Sequence, residues 1–325
     1  MYRVSRNDLY FPVVIALLKV SRRFPIRLRR AMVWAIASAA SHLSFRKRRV
    51  ARHAIDRAFG AQLDAAQKEK IAKNVFHHFW RESFWIAPSN AELELIAKIP
   101  LRGEEHLRSA LSLGKGVILL ESNQFGSRNL ARQVLHARGY ALHQVHAFDH
   151  AGSGFDIGRD RTSWGSERLR DFCRKCELEF LAEIIQLPKS GSLAFTRELV
   201  DRLRRNCIVC IAGGGQLSQR LITLPFFGIE LTFSTGIVSL ARTTGAPMLP
   251  LFCIDQGDAN IEVIIEPPID VESAPTREAS VIEGVRQSVV LLEQYSRKYP
   301  EQFYGWGDLA SAARRALESP ISASD

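Results

Sequence analysis

Short apolar runs alternate along the chain with longer stretches of helical apolar spacing, the arrangement of buried strands and amphipathic helices in an α/β fold. The run at 117–120, led in by Gly114 and Gly116, is short and β-branched enough for a strand buried on both faces. A polar turn follows, and helical spacing then opens at Asn129 and closes at Gly139. Further strands are expected over 140–148, 207–212 and 261–266, and further helices over 47–59, 65–85, 167–185, 196–206 and 280–299. Asp64 reads as the start of the helix over 65–85, whose Phe76, Phe79, Trp80, Phe84 and Trp85 form a broad apolar face, read as core packing ahead of an acyl-chain contact. The fold class that this predicts is α/β, with a mostly parallel or mixed central sheet flanked by helices.

Charge changes the reading of the N-terminal end. The chain has 325 residues and a formal net charge of +10. Residues 1–57 hold 14 Lys and Arg against only Asp8 and Asp56, so the rest of the chain is close to neutral. A basic arm can serve nucleic acid, but here the charges interleave with apolar blocks at 9–18 and 31–43, which favours a membrane surface and leaves no nucleic-acid partner. Both blocks are shorter than the roughly 20 residues needed to span a bilayer, and no small-residue cleavage site marks a secretory signal. The expectation is an amphipathic helical segment over 1–46 lying on the anionic leaflet, with Arg22, Arg23, Arg27, Arg29 and Arg30 against lipid phosphates. An α/β domain over 47–312 and a tail over 313–325 follow.

With 46% hydrophobic and 24% charged residues the body can bury a sizeable core. Five cysteines, three of them in apolar surroundings, suit a reducing compartment. Two Cys-x2-Cys spacings, Cys173 with Cys176 and Cys207 with Cys210, read as packing rather than zinc ligation, because the second pair projects to opposite faces of a strand. The same geometry separates His143 from His146, and His150 adds a third imidazole nearby; no metal site or cofactor is expected.

The turn after the first buried strand carries the candidate chemistry. Gln124-Phe125-Gly126-Ser127-Arg128-Asn129 resembles the acceptor-activating segment of the bacterial lipid A late acyltransferases and the related lysophospholipid acyltransferases, with the family's His and acid, five positions apart, replaced by Gln124 and Asn129. The resemblance covers residues 47–306. Leu224-Pro225-Phe226-Phe227-Gly228 matches a Phe-Phe-Gly signature, Pro267-Pro268 a Pro-Pro corner, and Pro300-Glu301-Gln302-Phe303 a Pro-Glu-Gln-Trp segment. The glycine run Gly213-Gly214-Gly215-Gln216 falls where the family carries Asp-Gln: Gln216 matches, and Gly215 stands in place of the acid. After the Pro-Glu-Gln segment the family shows His and Arg, whereas this chain reads Gly305-Trp306-Gly307-Asp308.

The resemblance implies a glycerolipid-acyltransferase-like fold and transfer of a fatty acyl group from acyl carrier protein or acyl-CoA to a lipid, glycolipid or amine acceptor. This would take place at the cytoplasmic face of the inner membrane, on a peripheral or monotopic protein that also contacts membrane phospholipid or glycolipid. Such a reaction needs a base, something to orient it, and donors for the tetrahedral oxyanion. A neutral carboxamide cannot be the base. Glu121 and His146 are therefore candidate substitute bases, alongside Gln124 and Asn129 as the matching positions. Substrate contacts are expected from Phe125, Gly126, Gly213, Gly214, Gly215, Gln216, Phe226, Phe227 and Gly228, and from Arg159 and Arg161, near which the family has an arginine that contacts substrate. The alternative is a catalytically inactive homologue that binds acyl chains or lipids as a partner or regulator; a third reading is an enzyme acting on another ester or thioester.

Overall fold

The computed structural model describes residues 5–147, 162–187, 193–213, 220–256, 260–273 and 275–318. Three helices come first, α1 (Arg6–Ser21), α2 (Ile26–Leu43) and α3 (Phe45–Phe59), followed by α4 (Ala65–Ser83) and α5 (Asn90–Ile96). Alternation then begins: β1 (Leu101–Arg102), α6 (Glu104–Ser112), β2 (Val117–Ser122), α7 (Arg128–Ala137), β3 (Leu142–Ala147), α8 (Trp164–Glu177), β4 (Glu183–Leu187), α9 (Leu193–Arg204) and β5 (Ile208–Gly213). A hairpin of β6 (Leu221–Phe226) and β7 (Ile229–Ser234) precedes α10 (Gly236–Thr244), β8 (Met248–Asp255), β9 (Ile261–Ile265), α11 (Arg277–Lys298) and α12 (Trp306–Glu318).

Seven strands form one sheet in the order β1-β9-β8-β2-β5-β3-β4, parallel throughout except at the β8–β9 pairing. The mostly parallel sheet expected from the sequence is thus present, with β2 at its centre. Side chains of β2 alternate between two cores. Val117 and Leu119 pack toward α6 and α7, and Ile118 packs toward the opposite core with Phe252, Val285 and Trp306. Helices on both faces explain why β2 and β8 read as continuous apolar runs.

Helix boundaries follow local chemistry. Asp64 starts α4 through a capping box with Gln67. The cap of α7 is Ser127, whose hydroxyl accepts from Leu130 N, so the helix opens one residue before Asn129. The single helix expected over 167–185 is in fact α8 followed by β4. Charged spacing ends at Glu177, and Ile184 and Ile185 belong to a β-strand paired in parallel with β3, a partner that helical periodicity alone does not reveal.

The N-terminal helices are docked on the body. Phe11, Ile15 and Leu18 of α1 pack with Phe84, Ile86 and Leu169, and Asp8 accepts from Gly165 N at the start of α8 at 2.7 Å. The opposite face of α1 is apolar too and lies open: Leu9, Val13, Leu17 and Val20 are 71%, 58%, 42% and 50% exposed. Leu28 and Trp34 of α2 are exposed as well. Among the described residues no helix is long and apolar enough to cross a membrane.

Arg29 corrects the expectation that the whole basic cluster meets lipid phosphate. Its side chain is fully buried. It forms a 2.7 Å ion pair with Glu92, and donates to Ser21 Oγ and to the carbonyls of Phe84 and Ala87. Glu92 in turn completes the capping box of α5. Arg22 is likewise engaged, by both oxygens of Glu179, which leaves Arg23, Arg27 and Arg30 exposed at the turn between α1 and α2.

Removing one partner of a buried pair leaves an uncompensated charge, which costs about 3–5 kcal/mol. Arg29→Ala is therefore expected to lower unfolding stability by that amount in urea titrations and to open the α1–α2 unit to limited proteolysis. The double replacement Arg29→Met with Glu92→Leu should recover most of the loss.

Candidate functional site

The turn between β2 and α7 is held from the far end of the chain. Residues 302–304 run antiparallel to 124–126 through a bridge between Phe125 and Phe303. Gly126 N donates to Gln302 O at 3.1 Å, and Tyr304 N donates to Gln124 O at 2.6 Å. The Gln302 side chain then clamps the end of β8, accepting from Asp255 N and donating to Asp255 O, both at 3.0 Å. Gly126 has φ of +61°, and a Cβ there would sit 2.3 Å from Cys253 O, so only glycine fits this turn against β8. The Pro-Glu-Gln segment, which the sequence presents as scaffold, thus sets the position of Gln124.

A narrow cleft of about 80 Å³ opens at the carboxyl ends of β2 and β5, under α10 and α11. Its walls are apolar, with Leu120, Phe233, Ile237, Pro250, Phe252 and Val289, and its polar residues include Ser122 and Gln124 beside Gly213. A carboxyl-edge crevice of this kind is where open α/β sheets bind ligands. Gln124 is half-buried, and its Nε2 donates to Asp308 Oδ2 at 2.8 Å. Gly305 makes room for it: a Cβ on that residue would lie 2.7 Å from Gln124 Oε1. Asn129 is buried in the first turn of α7 at 1% exposure.

Asp308 also borders a second and larger cavity, of about 750 Å³, open to solvent and lined by α1, α3, α4 and the start of α12. Phe76, Phe79, Trp80 and Trp306 line it. Asp308 lies in the first turn of α12.

The two candidate substitute bases fall in a buried ion network on the α7–α8 side of the sheet. Arg132 grips both oxygens of Glu121, at 2.7 and 2.5 Å. Arg128 stands 3.8 Å from Glu121, and Glu177 stands 3.8 Å from Arg132 and 3.6 Å from His146 Nε2. Burial pushes the Glu177 carboxyl up to about 7 against the pull of Arg132 and Arg128. Burial and the neighbouring Arg132 push Arg128 down to about 10, still protonated at neutral pH. Glu121 borders the cleft with its carboxylate bound by Arg132, and His146 faces Glu177, so both expected bases stand within the buried ion network.

Of the other expected contacts, Gly213 borders the cleft. Phe125 is one layer behind, its ring 5.7 Å from that of Phe252. Phe226 and Phe227 differ from the expectation: they pack in an aromatic cluster with Phe303 and Trp306, because the β6–β7 hairpin turns at Phe227 and Gly228 and folds both rings inward. They support residue 303 and so act on the cleft indirectly. Arg159, Arg161, Gly214, Gly215, Gln216 and His150 lie outside the described residues. Asp308 escaped the sequence reading as a site residue; the only signal was its place where the family carries basic residues.

A family model described as bacterial lipid A biosynthesis acyltransferase matches residues 3–144 and 182–305. Two phosphatidylinositol mannoside acyltransferases of Mycobacterium tuberculosis, from strains CDC 1551 / Oshkosh and ATCC 25618 / H37Rv, are 28% and 27% identical over 187 residues. The match takes in 56% of this chain and 52% of each relative, so the chain spans about half the length of the curated relatives it matches.

One carboxyl beside the site titrates in an accessible range. Glu82, half-buried on α4, is pushed up to about 8 by burial, and the nearby Asp255 adds to the shift while Arg128 and Arg81 oppose it. Between about pH 4.5 and 8 the folded protein therefore holds a proton that the unfolded chain has released, and this share of stability is lost as pH rises through that window. Glu82→Gln should flatten the fall in Tm between pH 5 and 8.5 measured by differential scanning calorimetry; a Tm difference from the parent that stays constant with pH would contradict the assignment.

Proposed function

The chain belongs to the bacterial lipid A biosynthesis acyltransferase family, and we propose that it moves a fatty acyl group from an acyl thioester, carried by acyl carrier protein or coenzyme A, to a lipid, glycolipid or amine acceptor at a membrane surface. The observation that carries this reading is the apolar cleft ending at Gln124, the position that matches the family's histidine. An unbranched acyl chain suits a slot so narrow and so apolar, and its thioester would then lie beside the Gln124 amide. That amide is held by Asp308 and is available to orient the thioester by hydrogen bonding. No resident cofactor enters this mechanism.

The surface supports docking on the cytoplasmic face of the inner membrane as a peripheral or monotopic protein. The exposed stripe of α1 offers apolar burial, and Arg23, Arg27 and Arg30 stand at the adjoining turn, where each cation is worth about 1 kcal/mol near an anionic leaflet. The second reading, a homologue that binds acyl chains or lipids without turnover, draws on the two carboxamides at the dyad positions, since neither can take a proton.

Labelled acyl carrier protein and a lipid extract, incubated with purified protein, are expected to yield a new labelled lipid. Gln124→Ala should lower kcat/KM about tenfold or more, the loss of roughly 1.4 kcal/mol from one orienting hydrogen bond. Saturable lipid binding with no labelled product would favour the silent homologue instead. Membrane docking is read by liposome co-sedimentation: Leu9→Glu with Val13→Glu should release the protein from anionic vesicles while leaving its circular dichroism unchanged, and undiminished binding would rule out the α1 stripe as the docking face.

A further inference from the structure

The hydrogen bond between Gln124 and Asp308 joins two chambers. Gln124 borders the narrow apolar cleft and Asp308 borders the 750 Å³ cavity, so their side chains meet where the contents of the two would meet. The larger cavity has a distinct chemistry. The exposed Asp308 carboxylate borders it, and Phe79, Trp80 and the buried Trp306 are among its lining. A carboxylate among aromatic rings attracts an organic cation. Two exposed cations, Arg6 and Lys47, line the same cavity and suit an anion. A ligand that answers all of this carries both an ammonium group and a phosphate.

Resting on the acyl-transfer reading above, we infer that the acceptor is a primary-amine phospholipid, with its amine at Asp308, its phosphate toward Arg6 and Lys47, and an amide as the product. The missing base fits this acceptor. A hydroxyl must lose its proton as it attacks, which is the work a carboxamide cannot do. The bound ammonium first gives one proton to the exposed Asp308 carboxylate, which releases it to solvent. The neutral amine then attacks with no base acting on it in that step and loses its second proton afterwards. The nitrogen forms a bond to the thioester carbonyl carbon, and the carbon–sulfur bond breaks. The proton shed by the nitrogen, now acidic on the tetrahedral carbon, passes to Asp308 and from there to the departing thiolate, giving an amide and a thiol. Asp308 is thus a catalytic residue, and Gln124 is the positioning residue that keeps its carboxylate turned toward the cleft. The source of the amine is a lipid rather than a soluble phosphoamine because Arg6 and Tyr10, which line the cavity, belong to α1, whose opposite stripe is the exposed apolar face.

The test supplies labelled acyl carrier protein or acyl-CoA to the full-length protein with vesicles of phosphatidylglycerol alone, with added phosphatidylethanolamine, or with added phosphatidylcholine, and with soluble phosphoethanolamine. Mild alkali then distinguishes amide from ester. The expected result is an alkali-stable labelled lipid formed only with phosphatidylethanolamine, inhibited by phosphatidylcholine, whose nitrogen carries no transferable hydrogen. Asp308→Asn should reduce kcat/KM for the amine about tenfold or more, with partial rescue by Asp308→Glu. An alkali-labile product from hydroxyl lipids, with none from the amine, overturns the amine inference and leaves acyl transfer standing. Equal use of soluble phosphoethanolamine overturns the lipid assignment. Full activity of Asp308→Asn in protein of parental thermal stability overturns its role, and no labelled product from any acceptor overturns acyl transfer and this inference together.

Discussion

The buried amide of Gln302 is the contact on which the site's geometry depends. Its two hydrogen bonds to the backbone of Asp255 fix the last described turn before α12 against the end of β8. Both groups are out of reach of water, and an unpaired buried donor or acceptor costs about 1–3 kcal/mol, so the clamp has a single satisfactory register. Once it is set, residues 302–304 can lie only antiparallel to 124–126, and the first turn of α12 brings Asp308 to Gln124 across 184 residues of sequence. The sheet edge presents the cleft, but the C-terminal segment decides what faces it.

A second constraint explains why the charged side chains closest to the turn are not its chemistry. Arg128 and Arg132 sit in the first turns of α7, where the helix dipole opposes positive charge. Glu121, at the end of β2, and Glu177, at the end of α8, offset them within a dry interior. The network ties strand, α7 and α8 together, and in doing so takes up the carboxylate nearest the cleft. A base cannot be recruited from it without leaving an arginine buried and unpaired.

Most of the scaffold was legible because it is local. The apolar run of β2, the capping box at Asp64 and the glycine-closed end of α7 are each written within a few residues. The split of 167–185 into helix and strand was not, since β4 exists by pairing with β3 and its own residues fit either period. The candidate site was half legible: the motif frame pointed to Gln124 and Gly213, and both border the cleft. Phe226 and Phe227 were misassigned because an aromatic pair looks the same in a sequence whether it lines a pocket or supports one. Asp308 and Arg29 were hidden for the opposite reason. Each is an ordinary charged residue until a distant partner, Gln124 or Glu92, gives it a place.

The N-terminal basic charge divides along the same lines. Arg29 is structural, Arg22 is paired with Glu179, and Arg48 and Arg52 face Glu69 and Asp56. Only part of the basic cluster is left for an anionic surface, so apolar burial along α1 has to supply much of any membrane affinity. The helix with the exposed apolar stripe is the one whose Arg6 and Tyr10 line the larger cavity, and its inner face is fixed to the body through Phe11 and Leu18. In the docking proposed above, one helix thus carries both the lipid-facing stripe and a wall of the larger cavity.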